Sequence, residues 1–296
     1  MTQSLTVGLV APIFNNMPVW AAENLGLFAE ASLTVTAKVL YGVQNVTSAT
    51  LDGSVEIGLG TPEGVLSDPD GALVIVGGNA RKLANALIAR RGIATIADLR
   101  GAVVGVSHAT EGTALLVTEM LAAHGLRAGR DYRLEAIGVA SARWEAIQGG
   151  KLDAGLQTPP HKYIAQDQGY PDLGEISDYV PDYQFTTVNA RADWAAAHRG
   201  TLRAFLAALS RSTKWLYAEP DAATELAAQV LATTPEYARR DYEHFATSRS
   251  LTTDLALSEP GMAKVIEVMR AACTLPGPGG DAGWRARIDL SFLPGS

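Results

Sequence analysis

A ten-residue segment occurs twice in this chain. Residues 53–62 read GSVEIGLGTP and residues 150–159 read GKLDAGLQTP, so two Gly positions and the Leu, Thr and Pro positions coincide, and an acid aligns with an acid at Glu56 and Asp153. Each copy follows a helix-like run and predicts a turn, a short buried strand, and a Thr-Pro pair that opens the next helix. One supersecondary unit therefore occurs twice. We expect its two polar helix starts to face each other across a cleft that holds a small molecule.

Composition and charge exclude several classes of protein. Of the 296 residues, 47% are hydrophobic and 19% are charged, which is typical of a folded protein of one or two domains. The net charge of −7 argues against nucleic-acid binding, which needs a basic surface. The single cysteine, Cys273, excludes an intramolecular disulfide and a multi-cysteine metal site. The scattered histidines have no metal-ligand spacing, so we expect no metal and no cofactor.

The sequence also bears on the cellular compartment. It contains no uninterrupted apolar stretch of the roughly 18 residues that a membrane helix needs, so we expect no membrane insertion. Residues 1–4 run directly into a strand-like segment, without a charged region followed by an apolar one. This pattern predicts either a cytoplasmic protein or a periplasmic or cell-envelope protein whose signal peptide has been removed.

Strand-like and helix-like segments alternate as far as Val188, which predicts an α/β fold with mainly parallel sheets. Beyond that point the pattern is helical, with an apolar stripe at helical spacing from Leu202 to Leu216. A tail rich in Pro and Gly begins at Leu275 and is expected to lie over the surface. The order of segments therefore predicts an α/β protein with a helical C-terminal segment.

The same order predicts two lobes. We expect lobe 1 to be discontinuous, comprising residues 1–88 and 187–296 with the C-terminal helices and tail, and lobe 2 to comprise residues 92–184. Two chain crossings, near 88–92 and 184–188, would then form a hinge.

Three segments resemble a known family. Residues 12–28 end in Ala-Glu-x-x-Gly-Leu-Phe, and residues 96–101 (IADLRG) are followed by Val-Gly-Val at 104–106. Together with the repeat, these segments resemble the substrate-binding proteins of ABC importers, in the subgroup for sulfonates, taurine, nitrate and thiamine-pyrimidine precursors. The resemblance covers roughly residues 5 to 245. It implies a two-lobe type II periplasmic-binding-protein fold that closes on its ligand, with ABC permease subunits as partners.

Candidate ligand contacts follow from the rule that ligands of open α/β sheets lie beyond the carboxyl ends of the strands. The rule selects residues, most of them polar or aromatic, that follow predicted strands. These are Phe14, Asn15, Asn16, Tyr41, Gly42, Gln44, Thr61, Pro62, Glu63, Asn79 and Arg81 in lobe 1, Ser107, His108, Thr110, Ser141, Arg143, Gln157, Thr158 and His161 in lobe 2, and Tyr183 and Phe185 at the return crossing.

The segment from Ser107 to Thr113 predicts an anion site, because it opens a helix whose free N–H groups and dipole favour negative charge. Alternatively, Thr110 only caps this helix and Glu111 only complements its dipole. Arg81 and Arg143 are candidates for clamping an anion, with surface ion pairing as the alternative. Glu63 is open to three interpretations: rejection of anions, binding of a cationic or hydroxyl group, or a place in the first turn of its helix.

The family resemblance also includes enzymes, and the chain departs from both types that can be compared. Aromatic sulfinate desulfinases on this fold use an early cysteine, whereas Cys273 lies far from the first loop. Thiamine-pyrimidine synthases carry an Asn-His pair in the first loop and a later cysteine cluster, whereas this chain has Asn15-Asn16 and no cluster.

We therefore expect binding rather than catalysis: a solute-binding protein that closes two lobes around a small organic, anionic or aromatic ligand for an ABC importer. The alternative is a cytoplasmic enzyme on the same fold that acts on a small aromatic or anionic acid, in the manner of a decarboxylase or hydrolase. In that case His108, His161 or Glu111 would be catalytic, because histidine and carboxylate side chains can transfer protons near neutral pH.

Overall fold

Two sheets organise the chain, because its strands pair in two separate sets. The computed structural model describes residues 2–108, 113–275 and 283–295. Unit 1 comprises Met1–Lys82 and Tyr183–Ser296, and unit 2 comprises Leu83–Asp182. Each unit contains one five-stranded sheet.

The described strands, in chain order, are β1 (Gln3–Leu9), β2 (Leu33–Val39), β3 (Ile57–Gly60), β4 (Leu73–Ala80), β5 (Ala86–Ala89), β6 (Val103–Val106), β7 (Arg133–Ala136), β8 (Ala154–Gln157), β9 (Asp172–Glu175) and β10 (Thr186–Arg191). The first sheet has the order β2-β1-β3-β10-β4, and only β10 runs against the other four. The second has the order β7-β6-β8-β5-β9, and only β5 runs against the others. Both sheets are therefore mainly parallel, as the alternation predicts.

The described helices are α1 (Met17–Asn24), α2 (Leu27–Glu30), α3 (Val43–Leu51), α4 (Pro62–Leu66), α5 (Thr113–Ala122), α6 (Ala140–Gln148), α7 (His161–Asp167), α8 (Ala192–Ala197), α9 (Arg199–Ala218), α10 (Pro220–Val230), α11 (Pro235–Ser248) and α12 (Glu259–Ala271). Short 3₁₀ turns occupy Phe14–Asn16, Ile96–Leu99, Ile176–Asp178 and Trp284–Arg287.

The core of unit 1 forms where α9 packs its apolar stripe against the first sheet. Leu202, Phe205 and Leu209 are fully buried, as helical spacing predicts. The ring of Phe205 stacks on Phe28 at 5.5 Å between centroids. Burial of each such side chain contributes about 1.5–3 kcal/mol, so this stripe holds the C-terminal helices to the sheet.

Both copies of the repeat fold as one helix–turn–strand unit. Each begins at a glycine with left-handed backbone, Gly53 (φ 78°) and Gly150 (φ 70°). In the first copy, Glu56 Oε2 accepts a 2.7 Å hydrogen bond from the Thr6 N–H of β1. In the second, Asp153 Oδ2 accepts a 2.8 Å bond from the Val103 N–H of β6. The aligned acids therefore have the same structural role, because each accepts a hydrogen bond from the backbone of the neighbouring strand.

The second copy departs from its predicted ending. In the first copy, α4 starts at Pro62 directly after Thr61, as the Thr-Pro pair predicts. In the second, Thr158 and Pro159 do not open the helix, because Pro159 precedes a further proline, Pro160, and the residue before a proline disfavours helical backbone. The helix α7 begins only at His161.

The passages between the units also differ from the predicted crossings, and local pairing explains the difference. The chain leaves unit 1 after Lys82 and returns at Tyr183. Strand β5 pairs with β8 and β9, so it belongs to unit 2 although the sequence prediction assigned residues up to 88 to lobe 1. Strand β9 is short and polar and was not predicted at all. Which sheet a short strand joins depends on partners that are distant in sequence.

The C-terminal segment is anchored to unit 1 by one arginine. Arg287 donates to Val65 O (2.8 Å), to Asp68 Oδ2 (3.0 Å) and to Leu73 O (3.2 Å). Next to it, Ile288 forms a parallel bridge with Ile75 of β4. The described part of the predicted surface tail is therefore bound to the edge of the first sheet.

A glycine on β4 permits the closest approach of another segment to this sheet. A Cβ at Gly78 would lie 2.5 Å from Ala256 O and 3.0 Å from Ala256 C, both backbone atoms. The Gly78 N–H donates to Leu255 O at 2.7 Å, so the segment before α12 pairs along β4.

We predict that Gly78→Ala lowers the free energy of unfolding by about 1–3 kcal/mol, because the backbone atoms of Ala256 cannot move aside for the added methyl group. Urea unfolding followed by circular dichroism measures this free energy. Gly200→Ala is the control: a Cβ there meets nothing within 4 Å in α9, so stability should stay the same or rise by up to about 1 kcal/mol. Equal effects at the two positions would contradict the packing argument.

Candidate functional site

The direction of the strands gathers most predicted residues of unit 1 at one sheet edge. The strands β1 to β4 run the same way, so the loops after them and the residues before β10 share the carboxyl edge. The predicted residues that follow these strands are Phe14, Asn15, Asn16, Tyr41, Thr61, Glu63 and Arg81, and Tyr183 precedes β10.

Glu63 and Tyr183 form a buried pair at this edge. The Tyr183 hydroxyl donates to Glu63 Oε1 at 2.5 Å, and both residues are less than 5% exposed. Glu63 lies in the first turn of α4, where a negative charge complements the helix dipole. The preceding Thr61 is also buried, and its Oγ1 has no hydrogen-bond partner within the described part of the chain.

A network of buried amides lies beside this pair. Asn79 Nδ2 donates to Asn15 O at 2.7 Å and to Thr186 Oγ1 at 3.1 Å, while its Oδ1 has no partner among the residues described. Gln184 Nε2 donates to Ala80 O at 3.1 Å. The strand-end rule finds Asn79, but it misses Gln184 and Thr186, whose roles depend on β10 running against its neighbours.

Other predicted residues of unit 1 lie in surroundings of a different kind. Phe14 is 4% exposed and packs against Phe245 at 4.7 Å between ring centroids. Asn16 is buried and donates to Ala11 O at 2.8 Å. Tyr41 is 62% exposed, and Arg81 donates to Ala256 O at 3.3 Å. Phe14 and Asn16 therefore have structural contacts already, and a ligand role for these residues stays a prediction.

Unit 2 repeats the arrangement at the carboxyl edge of its own sheet. Ser107 and His108 follow β6, Gly138 follows β7, and Thr158 follows β8. Ser107, His108 and Thr158 are half-buried. Thr110 and Glu111, the predicted helix cap and its neighbour, lie outside the described residues.

Arg143 is the most unusual of these side chains. It lies in the first turn of α6, is 3% exposed, and donates from Nε to Leu156 O at 2.8 Å and from Nη1 to Gly138 O. In the described ranges no carboxylate forms an ion pair with it. Burial lowers the pKa of Arg143 to about 10, so the guanidinium is still a cation at neutral pH.

Gln157 ends β8 and directly follows Leu156, whose carbonyl accepts the hydrogen bond from Arg143 Nε. It is fully buried, and neither its Oε1 nor its Nε2 has a hydrogen-bond partner in the residues that the structure describes. A buried amide group without a partner costs about 1–3 kcal/mol. Both Oε1 and Nε2 of Gln157 can therefore form hydrogen bonds with a ligand group that has both a donor and an acceptor.

His161 completes the cluster from the start of α7. Burial, and then the positive charge of Arg143, lower the pKa of His161 below its usual value, and Glu145 opposes the shift. The imidazole is therefore neutral at pH 7, and it gains a charge only in more acidic solution.

The repeat shows that this cluster distinguishes unit 2 from unit 1. When the copies are aligned, Arg143 on α6 corresponds to Val46 on α3, and Gln157 corresponds to Gly60. A Cβ at Gly60 would lie 3.7 Å from Val46 Cγ1, so the two positions are neighbours in unit 1 as well. One copy of the unit thus has apolar and small residues where the other has a cation and an amide.

Three further features of the described chain bear on other kinds of site. No group of three or more His, Cys, Asp or Glu side chains there could hold a metal ion. No described helix is long and apolar enough to cross a membrane. A cavity of 360 Å³ lies near the amino ends of β1 and β2, lined by residues such as Gln3 and Thr201, and it contains none of the predicted site residues.

Two mainly parallel sheets, each with one antiparallel strand and with polar loops at the carboxyl edge, define the periplasmic-binding-protein fold that the sequence predicts. The sequence pattern of the NMT1/THI5-like family matches residues 13–223. The chain belongs to this family, which confirms the family resemblance. No curated protein matches the sequence closely enough to add a relative.

Solved structures confirm the fold over nearly the whole chain. The alkanesulfonate-binding protein SsuA from Xanthomonas axonopodis pv. citri, bound to MOPS, has a TM-score of 0.80 at 17% identity, over 97% of this chain and 98% of that one. The nitrate-binding protein NrtA from Synechocystis PCC 6803 has a TM-score of 0.69 at 13% identity, over 79% and 68%.

An enzyme shares the same fold. A mutant of the desulfurization enzyme DSZB in complex with biphenyl-2-sulfinic acid has a TM-score of 0.73 at 15% identity, over 99% of this chain and 98% of that one. At such identities these likenesses establish the fold and not the ligand.

We predict that Gln157→Leu raises the free energy of unfolding, or leaves it unchanged, because it removes two buried polar groups that have no partner. Urea unfolding measures the change. Asn79→Leu is the matched control, since it deprives Asn15 O and Thr186 Oγ1 of a donor and should cost about 1–3 kcal/mol. A clear loss of stability in Gln157→Leu would show that the amide is paired in solution.

Proposed function

We propose that this protein binds a small organic anion through unit 2 and delivers it, as the solute-binding component, to an ABC importer. The observation that carries the proposal is Arg143: a buried guanidinium that has two carbonyl partners and no paired carboxylate in the described chain. A buried cation without a counter-ion is costly, and an anionic ligand supplies the missing charge.

The residues around Arg143 suit the same task. Gln157 and Thr158 are polar groups at the same sheet edge, and His161 is a neutral imidazole that becomes cationic when an anion favours its protonated form. Ser107 and His108 follow β6 and are proposed as further contacts. At the edge of the first sheet, the proposed contacts are Asn15, Asn16, Tyr41, Thr61, Glu63, Arg81 and Tyr183, with Phe14 as an aromatic neighbour.

Two findings support the proposed delivery of the ligand to an ABC importer. The chain belongs to the NMT1/THI5-like family, and its fold is that of binding proteins such as SsuA and NrtA. A role in import places the protein in the periplasm or cell envelope, with permease subunits as partners. That its two units close on the ligand stays a prediction.

A second candidate function is an enzyme that acts on a small anionic acid. One observation favours it: His161 is neutral at pH 7 and lies near the charge of Arg143, as a general base beside an anion site would. DSZB shows that this fold can be an enzyme.

The experiment that separates the two functions is a thermal-shift screen of sulfonates, carboxylates and nitrate, followed by mass spectrometry after long incubation. A ligand at 100 times its dissociation constant stabilises the protein by about 2.7 kcal/mol, which is a visible shift. A shift with the compound recovered unchanged supports binding. Consumption of more than one equivalent supports the enzyme.

We predict that Arg143→Gln weakens the binding of the best anion from this screen by roughly ten- to a hundredfold, because a hydrogen bond to a charged group contributes about 1.5–3 kcal/mol. Isothermal titration calorimetry measures the affinity. Arg133→Gln is the control, since that side chain is 64% exposed and paired with Glu135. If both variants bind like the unmodified protein, Arg143 is not the anion site.

We also predict that affinity for a sulfonate rises as the pH falls from about 8 to about 5. The pKa of His161 is lowered, and a bound anion raises it again, so binding takes up a proton and strengthens in acid, by at most about tenfold per pH unit. A sulfonate is chosen because it stays ionised throughout. The pH dependence should become smaller in His161→Gln and persist in His198→Gln, and an unchanged pH dependence in His161→Gln would contradict the assignment.

A further inference from the structure

The surroundings of Gln157 indicate more than an anion. In the second sheet, Gln157 of β8 is directly opposite Ala86 of β5, and Ala86 is directly opposite Glu175 of β9. Residues that are opposite each other in antiparallel pairs have their side chains on the same face. Gln157 and Glu175 therefore lie on one face of the sheet, on either side of an alanine that fills little space.

Two hydrogen-bond acceptors in this row have no donor. Gln157 Oε1 and Glu175 Oε2 are buried, and neither has a partner among the described residues. The nearby cation Lys162 is already committed, since its Nζ donates to Glu175 Oε1 at 2.6 Å and its side chain is 2% exposed. Arg143 Nε and Nη1 donate to the carbonyls of Leu156 and Gly138.

A ligand that satisfies these side chains therefore supplies a hydrogen-bond donor for Gln157 Oε1 as well as a negative charge for Arg143. A sulfonate or nitrate has only acceptors, so it can pair with Arg143 and with Gln157 Nε2, but it leaves Gln157 Oε1 buried without a donor. A site that hydrogen-bonds an N–H or O–H strongly rejects an analogue that lacks it, because its buried polar groups are then left unpaired.

We infer that Gln157 makes the site selective for an organic acid that carries, next to its acid group, a lactam or ureido N–H that is cis to the carbonyl. The inference rests on the proposed function. The primary amide of Gln157 donates to the carbonyl of such a ligand and accepts from its N–H, while Arg143 holds the acid group. Protein atoms cover the amide in this structure, so ligand entry requires neighbouring side chains to move.

Matched probes test this selectivity. Pyroglutamate, a lactam acid, is compared with 5-oxotetrahydrofuran-2-carboxylate, the lactone of the same ring size in which oxygen replaces N–H. 6-Oxopiperidine-2-carboxylate, a six-membered lactam acid, is compared with 6-oxotetrahydropyran-2-carboxylate, its lactone, in the same way. Calorimetric titration should show each N–H compound binding at least about tenfold more tightly than its oxygen analogue.

Variants assign the selectivity to the amide. In Gln157→Leu, and in Gln157→Met if the first variant does not fold, the affinity ratio within each pair should fall to about one. Gln148→Leu is the control, because that glutamine is exposed at the end of α6 and should leave the ratio unchanged.

Each outcome has a distinct meaning. Equal affinities within the pairs, or tightest binding by acceptor-only anions such as sulfonates, would overturn the inference and leave the proposed function standing. A buried water that donates to Gln157 Oε1 and Glu175 Oε2 would then account for these two acceptors. A ratio that persists in Gln157→Leu and Gln157→Met would overturn the role of Gln157. If no acid of either kind binds, the proposed function fails as well.

Discussion

Hydrogen bonds between strands that run the same way determine where chemistry can occur in this protein. Within each sheet four of the five strands share a direction, so the loops after them emerge at one edge. Residues far apart in sequence, such as Thr61 and Arg81 in unit 1 or His108 and Arg143 in unit 2, are brought to that edge by strand pairing alone. Every proposed ligand contact depends on this constraint.

The duplicated unit gives the two sheets the same frame but different chemistry. Its glycines and acids are structural, since Glu56 and Asp153 each bond to the strand next to their own. What changes between the copies is a pair of neighbouring positions, one on the helix and one at the end of the strand. Unit 1 has Val46 and Gly60 there, whereas unit 2 has a cation and an amide, which suits charge recognition.

Sequence reasoning performed best where a signal is local. The apolar stripe of α9 and the helix, turn and strand of each repeat copy were predicted correctly, because helical spacing and turn glycines depend on neighbouring residues. The strand-end rule also selected Arg143 and Gln157, but only as two of many polar residues after strands. It could not show that the carboxylates of the described chain leave Arg143 without an ion pair, since the partners of a side chain depend on the whole fold.

The sequence by itself determined the fold class, the family and the duplicated unit, because periodicity, turn residues and motif order depend on residues that are close together along the chain. The tertiary structure alone decided that β5 belongs to unit 2, that Glu63 pairs with Tyr183, and that Gln157 lies in one row with Glu175. These facts depend on strand register and on burial. Both arise only when segments distant in sequence pack together and exclude water.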